Sequence, residues 1–167
     1  AAAVNHCKRS ASRFALILLD LDRFKLINDT QGHDYGDQIL KELSQRLLSC
    51  VDHDLDSVAR LGGDEFLLLI QSIQNVDAVA RFAHQLQQVI AKPYLFENKR
   101  FDISASLGIA IFPNDGVDGR VLMKRADMAM YAAKSEGRNK VSFFVSELNE
   151  QTQRRMQIEL DLRHALR

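Results

Sequence analysis

At 167 residues the chain is about one domain long, and its 22 Lys and Arg balance 22 Asp and Glu, so no global field draws it to nucleic acid or an anionic membrane, and a phosphate ligand must be held by a local cluster. The apolar run Ala15 to Leu19 is far short of the roughly 20 residues a membrane span needs, and no signal-peptide layout precedes it. Cys7 and Cys50 stand in no metal-ligand spacing and make no disulfide framework, so the expectation is a soluble cytoplasmic module.

Residues 1–12 are small and polar without a period and are read as a terminal segment. The first predicted strand, 14–21, is apolar on both parities, as in a central strand covered on both faces. Residues 28–37, Asn-Asp-Thr-Gln-Gly-His-Asp-Tyr-Gly-Asp, read as a polar, glycine-punctuated loop ending at an N-cap candidate. From 37 to 50, Ile39, Leu40, Leu43, Leu47 and Leu48 recur at helical spacing. Strands over 57–61 and 66–71 flank a Gly-Gly turn. A second amphipathic helix over 76–91 carries Val79, Phe82, Ala83, Leu86, Val89 and Ile90 and stops before Pro93. A strand follows over 100–112. A third helix over 119–135 turns Leu122, Met123, Ala126, Met130 and Ala133 inward, and 141–145 reads as a last strand.

The order βαββαβ, extended by one helix and one strand, predicts an α+β layer fold: an antiparallel-containing sheet with helices on one face. Beyond Glu147, Leu148, Met156, Leu160, Leu162 and Leu166 are spread among charges. That pattern fits a thin-faced linker helix over 146–167 leading to another domain, or a frayed terminal helix.

Two acidic groups carry the chemistry. Gly62-Gly63-Asp64-Glu65 forms a turn whose carboxylates are surplus to turn formation, and Asp20-Leu21-Asp22 ends the first strand. Asp20 and Asp22 lie two apart, on one side of a strand that persists. An acid at a strand end is more often a solvated or capping group. With the second acidic group beside it, a hard divalent cation becomes the alternative, with phosphate oxygens completing its shell. Lys25, Lys134 and Arg138 are then cations for the phosphates, although Lys134 and Arg138 at a helix end also suit the helix dipole with no ligand. Asn and Asp in the 28–37 loop suit the donor edge of guanine. His33 is a further contact, a loop-ordering hydrogen bond or a surface group.

These residues resemble the GGDEF family of diguanylate cyclases. The match is a series in order: Asp-Leu-Asp-Arg-Phe-Lys at 20–25, Asn28, Gly32-His33, Gly36-Asp37, 60–66, Ser-Leu-Gly-Ile-Ala at 106–110, Ala126-Asp127 with Tyr131, and Ala133-Lys134 with Gly137-Arg138-Asn139. It covers residues 13–145. The resemblance implies a ferredoxin-like, palm-like βαββαβ core of the nucleotide-cyclase type, with an extra C-terminal helix and strand and helices packed on a central mixed sheet. It also implies condensation of two GTP into cyclic di-GMP with release of pyrophosphate, across a transient twofold homodimer in which each domain holds one GTP. Carried over by position, Asp20, the Leu21 carbonyl and Asp64 hold Mg²⁺, with Mn²⁺ as an alternative, and Asp64 and Glu65 are the catalytic acids. Asn28, His33 and Asp37 face guanine. Phe24, Lys25, Lys134 and Arg138 lie on the phosphate side, and Gly62 and Gly63 line the substrate.

The sequence departs from the family pattern in two places. Where relatives carry an Arg-x-x-Asp inhibitory product site, His53 replaces the arginine beside Asp56, so that site is expected to be degenerate. The Leu-Thr-Gly-Leu and Asn-Arg signature before the first strand is missing, as in a trimmed chain. Residues 160–166 resemble the junction into an EAL phosphodiesterase domain, which implies a tandem GGDEF–EAL protein and the alternative of a silent GTP-binding regulator.

Overall fold

The computed structural model describes residues 13–144. The predicted terminal segment 1–12, Val145 at the end of the last predicted strand, and the linker helix 146–167 with its EAL junction lie outside the described residues. In chain order the elements are β1 (Phe14–Leu21), α1 (Phe24–Gln31), α2 (His33–Cys50), β2 (Ser57–Gly62), β3 (Glu65–Gln71), α3 (Val76–Ile90), β4 (Tyr94–Phe96), β5 (Lys99–Phe101), β6 (Ala105–Phe112), α4 (Gly119–Ser135) and β7 (Val141–Phe143). Five strands form one sheet in the order β2-β3-β1-β6-β7, and β4 and β5 form a separate hairpin. All pairings in the large sheet are antiparallel except β6 with β7, which makes it mixed.

β1 sits at the centre because both of its parities are apolar, and a strand buried on two faces needs cover on each. Ala15, Ile17, Leu19 and Leu21 pack with Ile39, Leu40, Leu43 and Leu47 of α2 and with Val79, Ala83, Leu86 and Ile90 of α3. Phe14, Leu16 and Leu18 pack with Leu122, Ala126 and Met130 of α4. The expectation of helices on one face is therefore corrected: α4 covers the face opposite α2 and α3. The physical reason lies in β6, where every residue is buried, so the sheet has no side it could leave to water.

α4 comes unusually close to the sheet at Gly108, where an added Cβ would stand 2.1 Å from the Ala126 carbonyl oxygen and 2.2 Å from the Met130 nitrogen. Both are helix backbone atoms that cannot rotate aside.

The second correction concerns residues 28–37, which are helical rather than a loop. α1 ends at Gln31, the chain turns at Gly32, and α2 begins at His33 instead of 37. The second half of α1, Asn28 to Gln31, is polar and buries no side chain fully, so it resembles a loop. Gly36, which reads as punctuation, is instead a packing site: a Cβ there would lie 1.9 Å from Asn28 Oδ1 and 3.2 Å from Phe24 Cζ. The predicted strand 100–112 is likewise two strands, with β5 turning back onto β4 through Glu97 and Asn98, both left-handed at φ 48° and 67°. Left-handed residues at both turn positions match the twist of a tight hairpin.

No helix among the described residues is long and apolar enough to cross a membrane. Gly108→Ala is expected to push α4 off the sheet and destabilise the domain by about 2–3 kcal/mol, lowering the melting temperature by roughly 5–10 °C. An unchanged melting temperature by calorimetry would show that the helix is not seated this closely.

Candidate functional site

Antiparallel pairing of β1 with β3 brings the two acidic segments together. Asp20 is the register partner of Glu65, and the Leu21 N–H donates to the Asp64 carbonyl at 3.4 Å. Asp20 lies on the even-numbered face of β1, the face covered by α4, and there its Oδ2 meets Lys134 Nζ at 2.9 Å. The Asp20 side chain is 13% exposed. Burial raises its carboxyl above the ordinary carboxylate range; the Lys134 hydrogen bond opposes that rise, and the charges of Asp64 and Glu65 add to it.

The turn carrying Asp64 is latched from within. Arg60 Nε and Nη2 donate to the Gly63 carbonyl at 2.9 and 2.7 Å, across the bulge between Arg60 and Gly62. Sequence reasoning counted Arg60 as part of the motif and missed this role; an arginine two residues before a Gly-Gly turn was the available signal. Asp64 is half-buried and Glu65 exposed.

Asp22 stays on the α4 side with Asp20, since it accepts from Ser106 Oγ and Ser106 is the register partner of Asp20. β1 ends at Leu21, and the Asp22 carboxylate turns inward to accept from Ser104 Oγ at 2.6 Å, Ser106 Oγ at 2.7 Å and the Asn139 N–H at 2.9 Å. Three donors from the fold occupy most of its acceptor capacity. Phe24 and Lys25 open α1, Phe24 buried and Lys25 exposed. The first N–H groups of a helix have no partner within it and favour anions.

Asn28 projects from α1 toward Gly36 of α2, and its Oδ1 is buried without a hydrogen-bond partner. An orphaned acceptor of this kind marks a place where a donor is expected. His33 and Asp37 stand exposed at the start of α2. Arg138, exposed and left-handed at φ 64°, follows the end of α4. His53 and Asp56 lie at the opposite end of β2 from the turn, about 20 Å away for a six-residue strand. There both Asp56 oxygens are taken by backbone: Oδ1 by Gln71 N–H at 2.8 Å and Oδ2 by Asp52 N–H at 3.0 Å.

Among the described residues no three His, Cys, Asp or Glu side chains gather into a metal cage. Asp20, Asp64 and the Leu21 carbonyl form a sparser set, and Mg²⁺ is commonly held by one or two carboxylates plus waters and substrate phosphates. The set fits such an ion, because a half-buried carboxylate beside two further acids leaves negative charge that a divalent cation would neutralise.

Residues 1–140 match the family model for "Diguanylate cyclase, GGDEF domain". The chain belongs to the GGDEF family. It is 44% identical over 164 residues to the bifunctional diguanylate cyclase/cyclic di-GMP phosphodiesterase MucR of Pseudomonas aeruginosa, covering 98% of this chain and 24% of that protein. It is 38% identical over 164 residues to the cyclic di-GMP phosphodiesterase NbdA of the same organism, covering 98% of this chain and 21% of that protein. The chain thus spans less than a quarter of the length of these relatives. The crystal structure of the GGDEF domain of YfiN (TpbB) from Pseudomonas aeruginosa superposes with a TM-score of 0.83 at 32% identity, over 87% of this chain and 90% of that one. The palm-like α+β fold is that of this family.

In this GGDEF domain, Lys134→Met removes the ammonium that opposes the rise of the Asp20 pKa. Carbon-detected NMR titration is expected to show the Asp20 pKa rising further in the variant; an unmoved titration would mean that the ion pair does not form in solution.

Proposed function

We propose that this GGDEF domain is a diguanylate cyclase module: two GTP are condensed into cyclic di-GMP with release of two pyrophosphates, across a transient twofold homodimer. The observation that carries the reading is the convergence of Asp20, Asp64, Glu65 and Lys134 where β1 ends beside the β2–β3 turn. Asp20, Asp64 and the Leu21 carbonyl would hold Mg²⁺ or Mn²⁺. When bound, the ion supplies positive charge that polarises the α-phosphate and offsets charge developing on the phosphate oxygens. Glu65, exposed next to Asp64, takes the proton from the ribose 3′-hydroxyl as its oxygen attacks the α-phosphate of the nucleotide on the partner domain, while the P–O bond to pyrophosphate breaks. One domain presents one nucleotide, so chemistry waits for two domains to face each other.

The chain's cations and amides set the substrate. Lys25, Lys134, Arg138 and the N–H groups around Phe24 at the start of α1 would offset the triphosphate, and Gly62 and Gly63 leave the turn free of side chains against it. Asn28, with its unpartnered buried oxygen, would accept from guanine, together with Asp37 and His33 at the start of α2. Adenine has no N1–H or exocyclic N2–H₂ to give these acceptors, and a site built to hydrogen-bond a group discriminates strongly against its absence.

Residues 13–145 would be the catalytic unit and 146–167 the link to an EAL domain, working in the cytoplasm. A second reading has its own support: NbdA, similar over nearly all of this chain, is named a phosphodiesterase. In that reading the domain binds GTP without turning it over and regulates an attached EAL phosphodiesterase.

With GTP and Mg²⁺, specific activity for cyclic di-GMP is expected to rise with protein concentration, and Asp64→Asn to lower it by at least about 100-fold. GTP binding by calorimetry with no cyclic di-GMP, even in a forced dimer, would select the regulatory reading. At the degenerate inhibitory site, His53→Arg restores a bidentate fork beside Asp56 and is expected to tighten cyclic di-GMP binding by about tenfold; equal affinities in the two proteins would remove that site from the scheme.

A further inference from the structure

Asp22 belongs to neither the metal set nor the substrate set above, yet it is one of two buried carboxylates among the described residues, 8% exposed, the other being Asp115. Besides its three inward donors, its own N–H donates to the Ser104 carbonyl at 2.9 Å. Three segments distant in sequence are joined at this one group: the turn after β1, the lead-in to β6, and the loop after α4. Hydrogen bonds to an ionised acceptor are stronger than neutral ones, so the junction is firm.

What the junction holds is an unusual piece of backbone. Gly137, Arg138 and Asn139 are all left-handed, at φ 113°, 64° and 50°. Outside a tight hairpin turn, two consecutive residues with side chains in that region are strained and call for anchoring by their surroundings. On the helix side, the Arg138 N–H donates to the Ala133 carbonyl at 3.0 Å; on the other side, the Asn139 N–H donates to Asp22 Oδ2. Arg138 therefore sits between two anchors with its side chain exposed. One turn back along α4, Lys134 reaches Asp20, two residues before Asp22.

The geometry points to Asp22 as a positioning residue for triphosphate binding: by accepting the Asn139 N–H it fixes the loop that presents Arg138 against the strand end that carries Asp20. Cation and carboxylate are thereby registered to one another before a nucleotide arrives, and the ordering cost is met in folding instead of in binding. The inference rests on the nucleotide reading of the preceding subsection. It is distinct from a role in core satisfaction alone, which would make the consequences of losing Asp22 independent of Arg138.

The test is a double-mutant cycle between Asp22→Ala and Arg138→Ala, with Mg²⁺ and the non-hydrolysable analogue guanosine 5′-(β,γ-imido)triphosphate titrated calorimetrically, and with amide hydrogen exchange read at Asn139. Asp22→Ala is expected to speed Asn139 exchange at least tenfold and to weaken the analogue by about tenfold, Arg138→Ala to weaken it comparably, and the double variant to be within about twofold of the weaker single. Fully additive losses, or an unchanged affinity in Asp22→Ala, overturn the proposal. If Asp22→Ala does not fold, Asp22→Asn carries the test: with its charge lost it should weaken binding about threefold and faster Asn139 exchange should accompany this, again coupled to Arg138, and no change in either overturns the proposal. Failure of the wild-type domain to bind the analogue overturns the nucleotide reading, and the positioning role with it. Wild-type binding with a null cycle sinks this inference alone.

Discussion

The antiparallel pairing of β1 to both β3 and β6 is the constraint from which the site follows. A strand with apolar residues on both parities can lie only in the interior of a layered sheet, and its two neighbours then fix what stands beside its last residues. Register places Asp20 between Glu65 on one side and Ser106 on the other. A shift of one residue would send Asp20 to the face of α2 and α3, away from Lys134. The apolar pattern of β1 and β6 forbids that shift, so the core enforces the geometry of charged groups that contribute little to it.

The same pairing creates an electrostatic problem at the sheet end. Three acids, from the end of β1, the β2–β3 turn and the start of β3, approach one another where water is partly excluded, and burial, ahead of the neighbouring charges, raises the Asp20 carboxyl. Within the chain the compensation comes from α4, which crosses the opposite face closely enough to require glycine at 108 and so delivers Lys134 to within 2.9 Å of Asp20. Packing and charge are linked here: the close seat of α4 is also what brings a cation to the acids. Three carboxylates against one ammonium leave the sheet end with net negative charge.

Much of the fold was legible because its signals were local. α4 occupies the predicted span 119–135, with Asp118 capping its start through the Arg120 N–H, and α3 begins at the predicted Val76, with Asn75 accepting from the Ala78 N–H. The acidic strand end and the acidic turn were also visible as residues in excess of what their elements need. α1 was hidden because its apolar residues Phe24, Leu26 and Ile27 are confined to its first half and Asn28 to Gln31 are polar, and Gly32 and Gly36 are ambiguous between turn and close packing until the neighbouring helix is in place. β4 and β5 were hidden by length, at three residues each.

Sequence by itself determined most of the sheet and the helices over α2, α3 and α4, that β1 is central, that the chain is of the GGDEF family, and which carboxylates and cations are available. Tertiary structure alone decided how those charges divide: Asp20 to Lys134, Asp22 to two serines and a backbone amide, Asp56 to the backbone amides of Asp52 and Gln71. It alone also put α4 on the opposite face from α2 and α3. The reason is physical: periodicity reports which face of an element is buried, whereas the partner of a polar side chain depends on which distant segment the packing brings within about 3 Å.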